Sequence, residues 1–120
     1  MKELTKAEEM VMQALWKINR GFAKEITEAI EYDKKKPAYN TVLTMIRILV
    51  DKGFIKYETY GKSNLYEPVI SKEEYSKSTL KSITKRYFNG SPKSMLSFFA
   101  REENLNLDDL EEIIKELKKK

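Results

Sequence analysis

Residues 37–69 constrain the fold of this chain more than any other part of the sequence. Residues 39–50 carry apolar side chains at intervals of three and four, which is the spacing of one helix face. Asp51-Lys-Gly53 follows, and glycine is the residue that most often ends a helix in the left-handed conformation. Residues 54–60 and 64–69 are two short runs of β-type residues around a glycine-containing turn. The predicted order is therefore a helix, a glycine stop and a charged β-hairpin.

Two further helices are predicted before this stretch. Thr5-Lys-Ala-Glu8 has the spacing of a capping box, so the first helix should begin there. A second helix is expected over roughly residues 23–32 and a third over about residues 38–52, with Pro37 suited to its opening. The residues expected to face the core recur at helical spacing: Val11, Met12, Leu15, Trp16, Ala23, Ile26, Ile30, Val42, Met45, Ile46 and Leu49. Three helices followed by a hairpin are the outline of a winged helix-turn-helix, which places a polar helix face in the DNA major groove.

The third helix has a polar face opposite its apolar one. Asparagine can bond adenine through two hydrogen bonds, and threonine can contact a base or the thymine methyl group. Tyrosine, arginine and lysine can reach the phosphates, as can a basic residue at the tip of the wing. The predicted DNA-binding residues are Tyr39, Asn40, Thr41, Thr44, Arg47, Lys36 and Lys62.

The distribution of charge supports this interpretation better than its total. The 120 residues carry 23 lysines and arginines against 19 acids, a net charge of only +4. Between Lys34 and Asn64 there are seven cations and two acids, so the positive excess lies on the segment expected to meet phosphates. A plainer interpretation stays open, since an amphipathic helix with a solvated polar face and a polar turn would give a similar pattern. A winged helix can also serve as a protein–protein interaction module that binds no DNA.

The composition argues against catalysis and against metal or cofactor binding. The chain has no cysteine and no histidine, which removes thiolate ligands, disulfides and the commonest general base. Its paired acids fall at helix starts or turns, where capping explains them. We therefore expect no enzyme activity and no cofactor. The sequence has no apolar run of membrane-spanning length and no apolar signal core near residue 1, so we expect a cytoplasmic protein without membrane contact.

The C-terminal part is predicted to be helical and to dimerise. Three helices are expected over about residues 72–87, 92–102 and from 107, because Ser71, Ser91 and Asn106 suit N-cap positions. The predicted division is a winged-helix domain over residues 1–70 and a dimerisation domain over residues 71–120. Some fifty residues cannot bury so many apolar side chains alone, so folding back or pairing with a second copy is required. The predicted dimerisation residues are Tyr75, Leu80, Ile83, Tyr87, Leu96, Phe98, Phe99, Leu110, Ile113, Ile114 and Leu117.

The chain resembles the penicillinase-repressor family, the BlaI/MecI/CopY-type transcriptional regulators of bacteria, over nearly its whole length. The residues that carry the resemblance are Leu4-Thr5-Lys-Ala-Glu8 with Trp16, Thr41-Val-Leu-Thr44, Leu49-Val-Asp-Lys-Gly-Phe-Ile55, Tyr66, Phe98 and Leu110-Glu-Glu-Ile113. The resemblance implies a homodimeric repressor that binds a dyad operator in double-stranded DNA and blocks transcription. It also places Asn40, Thr41 and Thr44 at base-facing positions and Lys62 at the wing.

Four departures from the family pattern bear on function. The entry to the third helix is Pro37-Ala-Tyr-Asn40 rather than Trp-Ser-Pro-Lys, and Leu43 stands where an arginine is frequent, so a different operator sequence is expected. Antibiotic-responsive members have a sensor protease as partner and are cleaved at an Asn-Phe bond. The aligned pair here is Ser97-Phe98, which leaves open whether proteolysis inactivates this chain. The lack of cysteine excludes the thiolate motif of copper-responsive members.

Overall fold

The computed structural model describes residues 3–119, which divide into one compact unit ending at Thr79 and a second beginning at Leu80. The helices are α1 (Lys6–Ile18), α2 (Ala23–Ala29), α3 (Tyr39–Asp51), α4 (Lys72–Tyr87), α5 (Pro92–Glu102) and α6 (Leu107–Lys118). The strands are β1 (Gly21–Phe22), β2 (Ile55–Tyr60) and β3 (Ser63–Pro68), in the sheet order β1-β3-β2. The predicted fold class, mainly helical with a small β-hairpin wing, is confirmed.

The start of α1 follows the predicted capping box. The Thr5 hydroxyl accepts the backbone N–H of Glu8 at 3.2 Å, and the Glu8 carboxylate accepts the backbone N–H of Thr5 at 2.9 Å. At the other end, Asn19 adopts a φ of 73°, a left-handed conformation that asparagine tolerates. The indole N–H of Trp16 donates to the carbonyl of Ile70 at 2.8 Å, which ties α1 to the chain that follows the wing.

The strand β1 was not indicated by the sequence. Gly21 pairs with Tyr66 and Phe22 with Leu65, so a third strand lies beside the hairpin. Two residues are too few to show the alternation by which a strand is recognised. Gly21 is buried here, and a Cβ at this position would come within 2.8 Å of the Ile18 side chain. A side chain at this position would therefore displace the end of the Ile18 side chain, and glycine avoids that contact.

The helix α2 is shorter than predicted. It ends at Ala29 rather than near Tyr32, and Ile30 has an extended backbone with ψ of 127°. Ile30 is nevertheless buried as predicted, together with Ala23 and Ile26. The charged residues after Ile30 offer no apolar face, so a further helical turn would gain nothing by packing against the core.

The helix α3 packs its predicted apolar face into the core. Val42, Ile46 and Leu49 are buried and Met45 is half-buried. The helix begins one residue later than predicted, because Ala38 is its extended N-cap and Pro37 precedes that cap. At its C-terminus Gly53 has a φ of 83° and no neighbouring atom within 4 Å of a built Cβ, so glycine is needed there for backbone conformation and not for space.

A buried ion pair fixes the C-terminal end of α3 against the start of α1. The Lys52 ammonium lies 2.8 Å from both carboxylate oxygens of Glu8, whose side chain is almost fully buried. Burial alone would raise the pKa of Glu8. The hydrogen bonds from Lys52 and Thr5 outweigh that effect and hold the pKa of Glu8 below its ordinary value of 4.5. The pair spans 44 positions in sequence and orients α3 relative to α1.

The wing is an antiparallel hairpin with a two-residue tip. Tyr60 pairs with Ser63, so Gly61 and Lys62 form the turn. Gly61 has a φ of 61°, which suits the first position of a tight hairpin turn. Alternation along the strands directs Ile55, Tyr57 and Thr59 to one side, where their cross-strand partners are Pro68, Tyr66 and Asn64.

The first turn of α4 belongs to the winged helix, which corrects one predicted dimerisation residue. Tyr75 is buried, and its ring lies 5.9 Å from that of Trp16 and 6.0 Å from that of Phe54. Its hydroxyl accepts the backbone N–H of Leu4 at 3.0 Å. The side chain of Tyr75 is therefore unavailable to a second copy. The compact unit also extends nine residues past the predicted boundary at residue 70.

The second unit comprises the C-terminal part of α4 together with α5 and α6, whose predicted caps all form. Ser91 caps α5, and Asn106 with Asp109 forms a capping box at α6. Inside the unit Thr84 donates to the carbonyl of Leu80 at 2.6 Å and to the sulfur of Met95 at 3.1 Å. Over residues 3–119 no helix is long and apolar enough to cross a membrane.

Candidate nucleic-acid interface

The polar face of α3 points into solvent. The structure places every predicted DNA-binding residue on the surface: Tyr39, Asn40, Thr41, Thr44, Arg47, Lys36 and Lys62. Because the opposite face of α3 is held in the core, its rotation about its own axis is fixed. The amide and hydroxyl side chains are therefore presented outward along one side of the helix.

One side-chain hydrogen bond within α3 involves this polar face. The Thr44 hydroxyl donates to the backbone carbonyl of Asn40 at 3.1 Å, which leaves its lone pairs and its methyl group outward. Within the described part of the chain, the side chains of Asn40 and Arg47 form no hydrogen bond or ion pair. The amide can both donate and accept, and the guanidinium offers five donors.

Lysines lie on the segments at either side of α3. Lys36 is exposed in the loop between α2 and α3, next to Lys34 and Lys35. Lys62 is exposed at the tip of the wing, and neither lysine has an ion-pair partner within residues 3–119. Lys56, in contrast, pairs with Glu67 at 3.4 Å across the two wing strands. Within residues 3–119, lysines without an ion-pair partner thus lie in the loops on both sides of the polar face, which itself carries the unpaired Arg47.

A cleft of about 310 Å³ separates α3 from the wing. It is lined by Leu43, Ile46, Arg47, Val50, Asp51, Tyr57, Asn64 and Tyr66. Leu43 is half-buried against the core, so its apolar side chain is explained by packing rather than by an exposed position on the reading face. The predicted DNA-binding residues do not include Tyr57, and they include Lys62 of the wing but not the nearby Asn64. The alternation of the hairpin, which places Tyr57 on the same side as the buried Ile55, was the signal that could have found Tyr57.

A larger concavity of about 650 Å³ lies elsewhere in the first unit. Residues of α1, the end of α2 and the first turn of α4 line it, and none of the predicted DNA-binding residues does. The larger concavity is therefore not part of the predicted DNA-binding surface. Over residues 3–119 there is also no group of acidic side chains arranged to hold a metal ion.

An outward polar helix, a basic wing tip and a three-helix core define a winged-helix DNA-binding regulator. A model of the penicillinase repressor family matches residues 4–119 of the chain. The chain belongs to the penicillinase repressor family, and its members are repressors rather than enzymes. The family membership that the resemblance indicated is thereby confirmed.

Individual relatives agree with the family assignment. The methicillin resistance regulatory protein MecI of Staphylococcus aureus strain N315 is 29% identical over 118 residues, covering 98% of this chain and 95% of its own length. The penicillinase repressor of Bacillus licheniformis is 27% identical over 115 residues, covering 92% and 86%. The solution structure of the DNA-binding domain of the repressor BlaI is 26% identical with a TM-score of 0.52, covering 62% of this chain and 94% of that domain. The chain is a DNA-binding repressor with a winged-helix domain.

The predicted dimerisation residues fall on the surface of the second unit, apart from Tyr75. Leu110 is half-buried. The exposed ones are Leu80, Ile83, Tyr87, Leu96, Phe98, Phe99, Ile113, Ile114 and Leu117. Leu107, which sequence reasoning did not include, is exposed as well. Ser97 and Phe98 lie within α5, so the bond between them has a helical and not an extended backbone.

Proposed function

We propose that this protein is a homodimeric repressor that occupies a dyad operator in double-stranded DNA. In each copy α3 enters the major groove, with Asn40, Thr41 and Thr44 at base edges. Tyr39, Arg47, Lys36 and Lys62 fix the register on the phosphates. The observation that supports the proposal is the exposed polar face of α3, whose side chains make only one local hydrogen bond within residues 3–119.

Dimerisation through the second unit follows from its surface. A monomer would leave ten large apolar side chains of this unit exposed, which is more than a small unit normally shows to water. A symmetric pair buries the same patch on both copies and presents two reading heads. The two half-sites would then lie about one or two helical turns apart, which predicts an operator with dyad symmetry.

Repression would be steric, because a dimer bound at a promoter excludes polymerase from the same DNA. Such a protein works where the bacterial chromosome is, which is the cytoplasm. A sensor protease as inducing partner stays a prediction from the family. Cleavage between Ser97 and Phe98 would require α5 to unwind, since proteases bind extended chains.

Selection of bound fragments from the source genome tests the proposal. We expect the recovered fragments to share a dyad, and we expect sedimentation of the complex to give two chains for each dyad. Fragments without a dyad that each carry one chain would contradict the dimeric mechanism. Failure to retain any duplex in moderate salt would contradict DNA binding itself and favour a protein-interaction module.

A further inference from the structure

The cleft between α3 and the wing combines features that suit one particular ligand group. Its floor is apolar, formed by Leu43, Ile46 and Val50. Its polar lining consists of three neutral hydrogen-bonding groups, one cation and one acid, namely Tyr57, Asn64, Tyr66, Arg47 and Asp51. Hydroxyls, amides and arginine are the side chains that contact phosphate and sugar in protein–DNA complexes.

The neutral groups of the polar lining are held in place before any ligand arrives. The Thr59 hydroxyl donates to the side-chain amide oxygen of Asn64 at 2.9 Å. This directs the side-chain amide nitrogen of Asn64 toward the Tyr66 hydroxyl, to which it donates at 3.4 Å. The rings of Tyr57 and Tyr66 lie 5.8 Å apart, so Tyr57 is supported by the sheet although 49% of it is exposed. Within the described residues, the Tyr57 hydroxyl and the Arg47 guanidinium have no hydrogen-bond partner. Two donors without a partner among these residues therefore line the cleft.

The outer side of the wing provides a contrast within the same hairpin. Tyr60 is 53% exposed, much like Tyr57, but its hydroxyl donates to the carboxylate of Glu58 at 3.1 Å. Lys56 on the same side is paired with Glu67. The outer side thus has its polar groups satisfied and carries two acids. The inner side has the unpartnered Tyr57 hydroxyl and faces the unpartnered guanidinium of Arg47 on α3, so among the described residues the two sides of the wing are not equivalent as anion sites.

We propose that this cleft seats one phosphodiester strand of the bound duplex, with Tyr57 and Asn64 as additional backbone contacts beside Arg47. The proposal rests on the proposed function, because α3 in the major groove and a wing over the adjacent minor groove leave one sugar-phosphate strand to pass between them. The apolar floor faces the deoxyribose, and the donors of the polar lining bind the phosphate oxygens. The carboxylate of Asp51 lines the same cleft and repels the phosphates of the strand. This repulsion lowers the affinity for DNA of any sequence.

Binding of a short random-sequence duplex, followed by fluorescence anisotropy over a salt series, tests the proposal. Phosphate contacts supply non-specific binding, so no operator is needed. Tyr57→Phe keeps the ring against Tyr66 and removes only the hydroxyl. Its affinity should fall about three- to tenfold, with an unchanged salt slope because no charge is lost. Tyr60→Phe is the matched control and should bind like the unaltered protein.

A second set of variants tests whether a negative charge in the cleft weakens DNA binding. Asn64→Asp keeps the hydrogen bond from Thr59 but places a carboxylate beside the strand, so it should weaken binding more than Tyr57→Phe does. Gln13→Glu makes the same amide-to-acid change on exposed α1 and should have a much smaller effect at moderate salt. Asp51→Asn should strengthen binding to every duplex.

The outcomes separate the two levels of the argument. If the unaltered protein binds the duplex and Tyr57→Phe and Asn64→Asp bind no worse than their controls, the cleft does not hold the strand, and the proposed function stands. If the unaltered protein binds no duplex, the proposed function fails and this inference fails with it. Thermal unfolding of each variant establishes that the winged helix is intact.

Discussion

The two units of this protein bury their apolar residues in opposite ways. Over residues 3–119, every apolar side chain that is fully buried lies before Leu80, in the core of the winged helix. The helices α5 and α6 contain no buried residue at all. The first unit has a core of its own, whereas α5 and α6 leave their large apolar side chains exposed. The proposed DNA contact thus falls to one unit and the proposed association to the other.

The largest effect is expected from a charge placed on the surface of the second unit. Phe99 is 54% exposed, and Phe99→Glu would bury a carboxylate in the proposed dimer interface. The free energy of association should weaken by about 2–4 kcal/mol, seen by sedimentation equilibrium as a shift from dimer to monomer. Tyr60→Glu, which alters a similarly exposed aromatic residue of the first unit, should leave the dimer intact. A Phe99→Glu dimer as tight as the unaltered one would remove α5 from the interface.

A smaller effect is expected from breaking the buried ion pair of the first unit. Lys52→Ala leaves the Glu8 carboxylate buried without its partner, so the free energy of unfolding of this unit should fall by about 1–3 kcal/mol. Urea unfolding of the variant and of the unaltered protein measures this difference in free energy. Lys17→Ala is the control, because the Lys17–Glu31 pair is 63% and 87% exposed and should contribute no more than about 0.5 kcal/mol. Equal losses in both variants would show that the buried pair has no special role.

The same carboxylate predicts how stability depends on pH. The pKa of Glu8 is lowered on folding, so its contribution is complete above the unfolded value near 4.5 and is lost as pH falls through the lower folded value. The free energy of unfolding should therefore drop in acid below pH 4.5, and Glu8→Gln should flatten part of that dependence. Urea titrations at several pH values provide the measurement. If the free energy of unfolding depends on pH in the same way in Glu8→Gln and in the unaltered protein, Glu8 is not the source of the acid sensitivity.

The smallest effect is expected at the tip of the wing. If Lys62 neutralises a phosphate, Lys62→Ala should reduce the slope of log affinity against log salt by about 1 without changing stability. Lys17→Ala, which removes a lysine already paired with Glu31, should leave the slope as it was. An unchanged slope in Lys62→Ala would remove the wing tip from the contacts with DNA.

The structural features that could be predicted from the sequence depend on the spacing of residues close together in the chain. The capping box of Thr5 and Glu8, the two faces of α3 and the hairpin around Gly61 are all determined by residues within a few positions of one another. These elements define the fold and the reading face. That is why residue type and periodicity alone were enough to predict the fold and to propose the reading face.

The features that the sequence did not predict depend on distant contacts. Glu8 and Lys52 are 44 positions apart, and Leu4 and Tyr75 are 71 apart, so no local pattern links them. Tyr75 lies in the same apolar series as the exposed residues of α4, and only packing against Trp16 and Phe54 separates it from them. The two-residue strand β1 is likewise defined by its partner β3 and not by its own sequence.

The ratio of affinities for a selected genomic operator and for a random duplex tests the central claim most directly. In Asn40→Ala the affinity for the operator should fall by about 1–3 kcal/mol, while binding to random DNA should stay the same, since the amide contacts a base and not a phosphate. The ratio of the two affinities should then fall by about 5- to 150-fold. Equal losses on the two duplexes, or no loss on either, would contradict the assignment of α3 as the element that reads DNA.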